Sequence, residues 1–366
     1  LLTVLFCLFI GGMFLGSILL PDRTFSQLEN RNLAAAPKLS WETVTTGTFM
    51  EDAEDYVNDQ IIGRDFWVAL KAWSERVSGK QENNGVYFAK EDTLISRVDT
   101  PEQSTLDTNA GYVNALVDNV DVPVYFGIIP SAAEIWSDRL PEGAPTADEK
   151  AIIDRLYNEV QTHVIDLYSV LNAHKDEELY YRTDHHWTSL GAYYGYTALM
   201  NAMGLEAVPL DESQKVTVSD EFYGTLFSSS GVRWLPPDHI DRYISDEGVT
   251  VTAYPNGAPE PGSLYVDSYL EVKDKYSSFL GGNKPLCVIE TEHTDAPKVL
   301  VIRDPYADSL APFLTQNFSE IHLFDPRMNL TSVKDYVVQN EIDSVVVLYS
   351  ISNFFAKGSQ LFVLGG

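Results

Sequence analysis

Residues 298–314 read Lys298-Val299-Leu300-Val301-Ile302-Arg303, then Asp304-Pro305-Tyr306-Ala307-Asp308-Ser309-Leu310-Ala311-Pro312-Phe313-Leu314. The first six residues hold four apolar side chains in a row. A strand with one wet face alternates, so an unbroken apolar run predicts a strand covered on both faces. The same pattern recurs at Val122–Ile129 (VPVYFGII), Glu320–Phe324 (EIHLF) and Ser344–Tyr349 (SVVVLY), and Val164–Tyr168 reads as a shorter strand. Helical spacing fills the intervals: Leu106–Val120, Glu149–His163, Ser189–Met203 closed by Gly204, Tyr306–Phe318 and Ser332–Asn340. Strands alternating with helices predict an α/β fold, a parallel sheet with helices on both faces. Reactive groups in such sheets collect beyond the carboxyl ends of the strands.

Outward from this core the texture changes twice. Residues 206–296 carry KVTVS, VTVTAY, SLYVDSYLEV and PLCVIET between Gly and Pro, which predicts a β-rich insertion within a domain spanning 96–366. Residues 21–95 read as a helical, polar neck, with one helix around Met50–Ile62 and another around Phe66–Val77. Ahead of it, residues 1–20 (LLTVLFCLFIGGMFLGSILL) contain no charged side chain, and about 20 apolar residues suffice to cross a hydrocarbon core. No small-x-small cleavage site stands between Ser17 and Asp22, so the expectation is an uncleaved transmembrane anchor in the lipid bilayer.

The formal charge is −28, from 53 acidic and 25 basic residues. Binding to nucleic-acid phosphate needs Lys and Arg to displace counterions, so nucleic acid is excluded as a partner. The two cysteines, Cys7 in the apolar run and Cys287 far from it, do not make a structural disulfide.

The densest chemistry lies at Tyr180-Tyr181-Arg182-Thr183-Asp184-His185-His186-Trp187-Thr188-Ser189. In an extended segment, residues two apart share a face. Asp184 and His186 would then point one way and His185 the other. A carboxylate beside an imidazole fixes its tautomer and stabilises the imidazolium, the orienting and basic half of a hydrolase or acyltransferase triad. Two other readings stay open here: metal ligation by Asp184, His185 and His186 with His174, and a structural hydrogen-bond cluster at a helix start.

The sequence resembles the DHHW family of bacterial proteins and, through it, the SGNH-hydrolase-like domains of the alginate O-acetylation proteins AlgJ and AlgX. The resemblance is carried by Phe25–Arg31 (FSQLENR), Tyr181–Ala192, Phe222–Leu226 (FYGTL), Arg303–Leu314 and Asp325–Arg327 (DPR). It implies a triad in the order Asp, His, Ser, with Asp184 as orienter and His186 as base. The nucleophile is implied at a strand-to-helix exit usually reading Asp-Ser-Tyr-Ala-Asn-Ser. Here that stretch reads Asp304-Pro305-Tyr306-Ala307-Asp308-Ser309. Pro305 therefore stands at the nucleophile position with neither a hydroxyl nor an amide N–H, and Asp308 replaces the Asn. Ser309, one helical turn on, is the substitute nucleophile candidate.

Arg182, His185, Trp187, Arg303, Asp304 and Tyr306 are the candidate substrate-binding residues. Pro130-Ser131, Ser228–Gly231 and Arg233-Trp234 are weaker candidates, a turn and a polar loop in their plainer readings. The implied activity is O-acyl (acetyl) transfer or ester hydrolysis on an extracellular or cell-wall polysaccharide, on the outer side of the cell membrane. It needs no metal or other cofactor and takes a membrane protein as acetyl donor. The alternative is a non-catalytic protein that binds a polysaccharide or an assembly partner through the old cleft.

Overall fold

The structure is a computed structural model that describes residues 1–365. The chain forms two compact units, residues 1–86 with 225–235, and residues 87–224 with 236–366.

The first unit opens with α1 (Leu2–Leu19), whose mean hydropathy is 2.3 and whose residues are all unburied by the protein. At 1.5 Å per residue its 18 residues span about 27 Å, long and apolar enough to cross a membrane. The neck contributes α2 (Trp41–Thr46), α3 (Thr48–Gln60) and α4 (Arg64–Val77). Ser40 and Thr43 form a reciprocal capping box at the start of α2. The Phe25–Arg31 stretch is fixed by charge: Glu29 takes Arg64 through both oxygens, at 2.6 and 3.0 Å, and Asp59 pairs with Arg31. Residues 225–235, expected within the insertion, belong to this unit.

The second unit is built on one sheet of eight strands. In chain order they are β1 (Val124–Ile129), β2 (His163–Val164), β3 (Thr250–Ala253), β4 (Glu260–Pro261), β5 (Leu286–Glu290), β6 (Lys298–Arg303), β7 (Glu320–Phe324) and β8 (Ser344–Ser350). Their spatial order is β4-β3-β5-β7-β6-β8-β1-β2. From β7 to β2 every pair is parallel, with Val301 opposite both Leu323 and Val346. All seven residues of β8 are buried. Successive side chains leave a strand on opposite faces, so both faces are covered, as the apolar runs predict. Burying Val299, Leu300, Val301 and Ile302 completely stabilises the fold by roughly 1.5–3 kcal/mol each.

Three details refine the sequence reading. Within the β-rich insertion of 206–296, β5 joins antiparallel to β7, and β3 and β4 extend the same sheet outward. Val216–Phe222 and Asp238–Arg242 pair apart from it, Tyr265 bridges Phe279, and Asp267–Glu271, within SLYVDSYLEV, is a 3₁₀ turn. The strand expected at Val164–Tyr168 ends after Val164, because Asp166 accepts from the Ser169 amide and starts a helix at Leu167.

The covering helices include α5 (Gln103–Asn119), α6 (Glu149–Glu159), α7 (Ser189–Met203), α8 (Ala307–Leu314) and α9 (Val333–Gln339). Asp148, Thr188 and Ser332 cap α6, α7 and α9 through their side chains, and Gly204 closes α7 at φ 69°.

Candidate functional site

Residues 180–188 form a tight loop before α7. Tyr180 bridges Trp187, the Tyr181 amide donates to the His186 carbonyl at 3.2 Å, and the Thr188 amide to the Leu179 carbonyl at 2.9 Å. One buried carboxylate holds the loop tip. Asp238 accepts from the amides of Arg182 (3.0 Å) and Thr183 (2.8 Å), from the Thr183 hydroxyl (2.5 Å) and from the Arg182 guanidinium (3.3 Å). Burial nevertheless raises the Asp238 pKa above its ordinary value, against these donors.

Within this frame Asp184 Oδ1 accepts from His186 Nδ1 at 2.6 Å and from the His186 amide at 3.0 Å. The second bond closes a turn between residues two apart. The segment is therefore not extended, and His185 does not point away. Its ring lies 3.9 Å from that of His186, and its Nδ1 is 3.6 Å from Asp184 Oδ1. Partial burial and the neighbouring His186 hold the His185 pKa below its ordinary value, with Asp184 opposing. Asp184 comes this close because residue 224 is glycine: a Cβ there would lie 2.2 Å from Asp184 Cβ and 2.3 Å from Oδ2.

The His186 imidazole is stacked on Tyr276 at 3.9 Å and 6°. With Nδ1 committed to Asp184, the buried Nε2 has no hydrogen-bond partner among the described residues. That is the state of a base whose orienter is in place.

The rest of the site comes from the exit of β6, the carboxyl end of a parallel strand. Asp304 is fully buried and ties the exit together. It accepts from the Tyr306 amide (3.1 Å), the Ser350 amide (2.9 Å) and hydroxyl (2.5 Å), and Asn353 Nδ2 (2.8 Å). Pro305 occupies the turn, its carbonyl accepting from the Asp308 amide (3.1 Å) and the Tyr276 hydroxyl (3.1 Å). Ser309 is buried, and its Oγ meets Trp187 Nε1 at 3.0 Å and the Tyr276 hydroxyl at 3.0 Å. Its hydroxyl is thus engaged with Trp187 and Tyr276, not with the His186 ring.

The structure brings Asp184, His186, Ser309 and the six candidate substrate-binding residues to this loop and strand exit, but in unequal positions; of the weaker candidates, Ser131 is instead bonded to Glu149, and residues 228–234 belong to the first unit. Trp187, Arg303, Asp304 and Tyr306 are interior. Trp187 Nε1 donates to the Tyr306 carbonyl at 2.8 Å, and its ring fills the space over Gly195, where a Cβ would lie 2.7 Å from the indole. Arg303 pairs with Asp308 Oδ1 at 2.9 Å, and the Tyr306 hydroxyl donates to the His185 carbonyl. Arg182 and His185 keep 32% and 39% of their side chains exposed and form the accessible side. Asp308 titrates at about 6, because burial outweighs the attraction of Arg303 and of His186 nearby.

Asp184, His185 and His186 bring ligand atoms within 4.8 Å of one another, so a metal ion could be held there only by competing with the 2.6 Å Asp184–His186 bond. His174 is not in that group: it is bonded to Glu177 and stacked on Tyr194.

Sequence reasoning missed Asp238 and Tyr276. Neither sits in a recognisable motif, and both reach the loop from distant chain. Gly224 had a signal, in the FYGTL stretch.

A family model described as DHHW protein matches residues 102–324. Among solved structures the chain is similar to a DHHW family protein from Eubacterium siraeum, at 25% identity and TM-score 0.68, over 77% of this chain and 95% of that one. It is also similar to PatB1 of Bacillus cereus, solved with a sulfonyl adduct, at 20% identity and TM-score 0.62, over 75% and 97%. A looser likeness, 15% identity and TM-score 0.46 over 75% and 93%, is to the O-acetyltransferase domain of Pseudomonas putida AlgJ. No curated protein matches the chain.

Proposed function

The chain belongs to the DHHW family, and from that premise we propose that it is a cell-surface, polysaccharide-handling protein related to O-acetyltransferases and esterases whose covalent serine step is disabled. In this reading α1 anchors it in the membrane, the second unit lies outside the cytoplasm, and a membrane protein supplies acetyl groups to the same system.

The observation that carries the reading is the exit of β6. Pro305 offers no hydroxyl to acylate and no amide N–H to an oxyanion. The nearest candidate, Ser309, already shares its hydroxyl with Trp187 and Tyr276. Asp184 and His186 remain as an oriented pair, and Nε2 is the atom that would take a proton from a substrate hydroxyl or water. That unpartnered nitrogen supports a second reading, in which His186 activates an acceptor hydroxyl or water directly and no acyl-enzyme forms.

The test uses the full chain in detergent with an aryl acetate and an acetylated glycan, in wild type, His186→Ala, Ser309→Ala and Pro305→Ser forms. The disabled reading expects wild type and His186→Ala to be equally slow, and Pro305→Ser to gain hydrolysis that a further His186→Ala removes. Wild-type turnover that His186→Ala abolishes and Ser309→Ala leaves intact would refute an inactive site and establish the direct base, with no serine step. Turnover lost in Ser309→Ala would return the nucleophile role to Ser309.

A further inference from the structure

We propose that the cleft between Tyr254 and Tyr336 is a binding subsite for a neutral or amino-sugar glycan chain, set on the same rim of the sheet as the Asp184–His186 pair. The topology places it there. β7 is the parallel neighbour of β6, with Phe324 level with Ile302, so Asp325 leaves the sheet beside Arg303 and Asp304. β5 runs antiparallel to β7 and starts opposite Phe324, while β3 runs antiparallel to β5 and ends opposite Cys287. The Tyr254 amide then donates to the Leu286 carbonyl at 2.9 Å. The chain after β3, before β5 and after β7 therefore gathers on the rim that carries Pro305. With strands about 4.8 Å apart, the near wall stands about 5 Å along the rim from β6 and the Tyr254 wall about 14 Å.

The cleft measures about 540 Å³, within the range of small-ligand sites. Its lining has the chemistry that sugars need. The Tyr336 ring is fixed by a 2.8 Å bond between its hydroxyl and His322 and by edge contact with Phe324. A ring held in this way presents a flat apolar face without losing entropy on binding. Tyr254 stands across from it, also half-buried. Asn256 and Gln339 are exposed and their amides bond to no other described residue, so they are free to meet sugar hydroxyls. Among the described residues no Lys or Arg lines the cleft and Asp335 does, so polyuronate and other polyanions are disfavoured. In a protein of formal charge −28 that selection is reinforced at long range.

This deepens the proposed function by naming the chemical class of the glycan, and it rests on that reading for the link to acetyl chemistry. Binding is measured without turnover, so an active or a disabled serine step leaves the result unaffected. Full-length protein in detergent is titrated by calorimetry with chito-oligosaccharides, cello-oligosaccharides and oligogalacturonate, in wild type, Tyr254→Ala and Gln339→Ala forms, with thermal unfolding as the check on folding. The expected result is binding of at least one neutral chain, weakened tenfold or more by Tyr254→Ala and several-fold by Gln339→Ala at unchanged melting temperature. Failure of both neutral chains to bind, tighter binding of oligogalacturonate, or Tyr254→Ala binding as wild type would overturn the proposal.

Discussion

Removing the Asp238 carboxylate should destabilise the second unit strongly. Asp238 is 6% exposed and satisfies the amides of Arg182 and Thr183 together with the Thr183 hydroxyl, and Thr183 itself is fully buried. In Asp238→Ala the Thr183 amide and hydroxyl lose their best acceptor. As a donor the hydroxyl then has the Phe222 carbonyl at 3.4 Å, while it still accepts from the Gly224 amide at 3.1 Å. An unsatisfied buried donor costs about 1–3 kcal/mol, and two or three such groups set the loss at about 3–5 kcal/mol. Asp238→Asn keeps the shape but turns an NH₂ toward one pair of donors, so its loss should be about 1–3 kcal/mol. Urea denaturation followed by far-UV circular dichroism measures both. For a unit of this size, Asp238→Ala should also lower the melting temperature by roughly 6–20 °C. A loss under about 1 kcal/mol in Asp238→Ala, or an Asn variant less stable than the Ala variant, would show that the loop is held by something other than this carboxylate.

Glu149 is buried against Ser131, whose amide (2.8 Å) and hydroxyl (2.5 Å) it accepts from, and burial lifts its pKa to about 7. A raised folded-state carboxyl favours the protonated form. Its stabilisation is complete below pH 4.5 and is lost as pH rises through 7, and Glu149→Gln should flatten that slope, gaining up to about 3 kcal/mol at pH 8 in urea titrations. Arg303 is fully buried against Asp308, so Asp308→Asn should destabilise by about 3–5 kcal/mol by stranding the guanidinium; an Arg303→Met/Asp308→Leu double variant should lie closer to wild type than either single change, as a double-mutant cycle would show. Gly195→Ala drives a methyl to within 2.7 Å of the Trp187 indole and should cost about 1–3 kcal/mol with a shifted near-UV tryptophan signal; an unchanged spectrum and stability would mean that the ring has room to retreat.

Much of this protein was legible in the chain because it depends on local rules. Unbroken apolar runs such as Val299–Ile302 mark strands buried on both faces, and the capping residues Asp148, Thr188 and Ser332 stand where the sequence starts helices. Asp184 and His186 are two residues apart, so their pairing needed no long-range information, only a turn. The uncharged run of α1 and the proline at 305 were likewise fixed by composition alone. What the chain could not disclose was how distant segments share one surface. β3 and β5 read as alternating strands of an insertion, yet β5 pairs onto β7 and β3 onto β5, because an exposed sheet edge is completed by whichever strand comes into register beside it. The extended reading of Thr183–Trp187 failed for a related reason. The loop is shaped by Asp238 and by the room beside Gly224, which reach it from 40 to 55 residues away in sequence. Ser309 reads in the sequence as the substitute nucleophile candidate; its three-dimensional neighbours Trp187 and Tyr276 decide how its hydroxyl is engaged. The sequence by itself determined that Asp184 and His186 stand together and that position 305 lacks a hydroxyl. Tertiary structure alone decided which of those groups remain unengaged, because hydrogen-bond satisfaction depends on proximity in space and not on order along the chain.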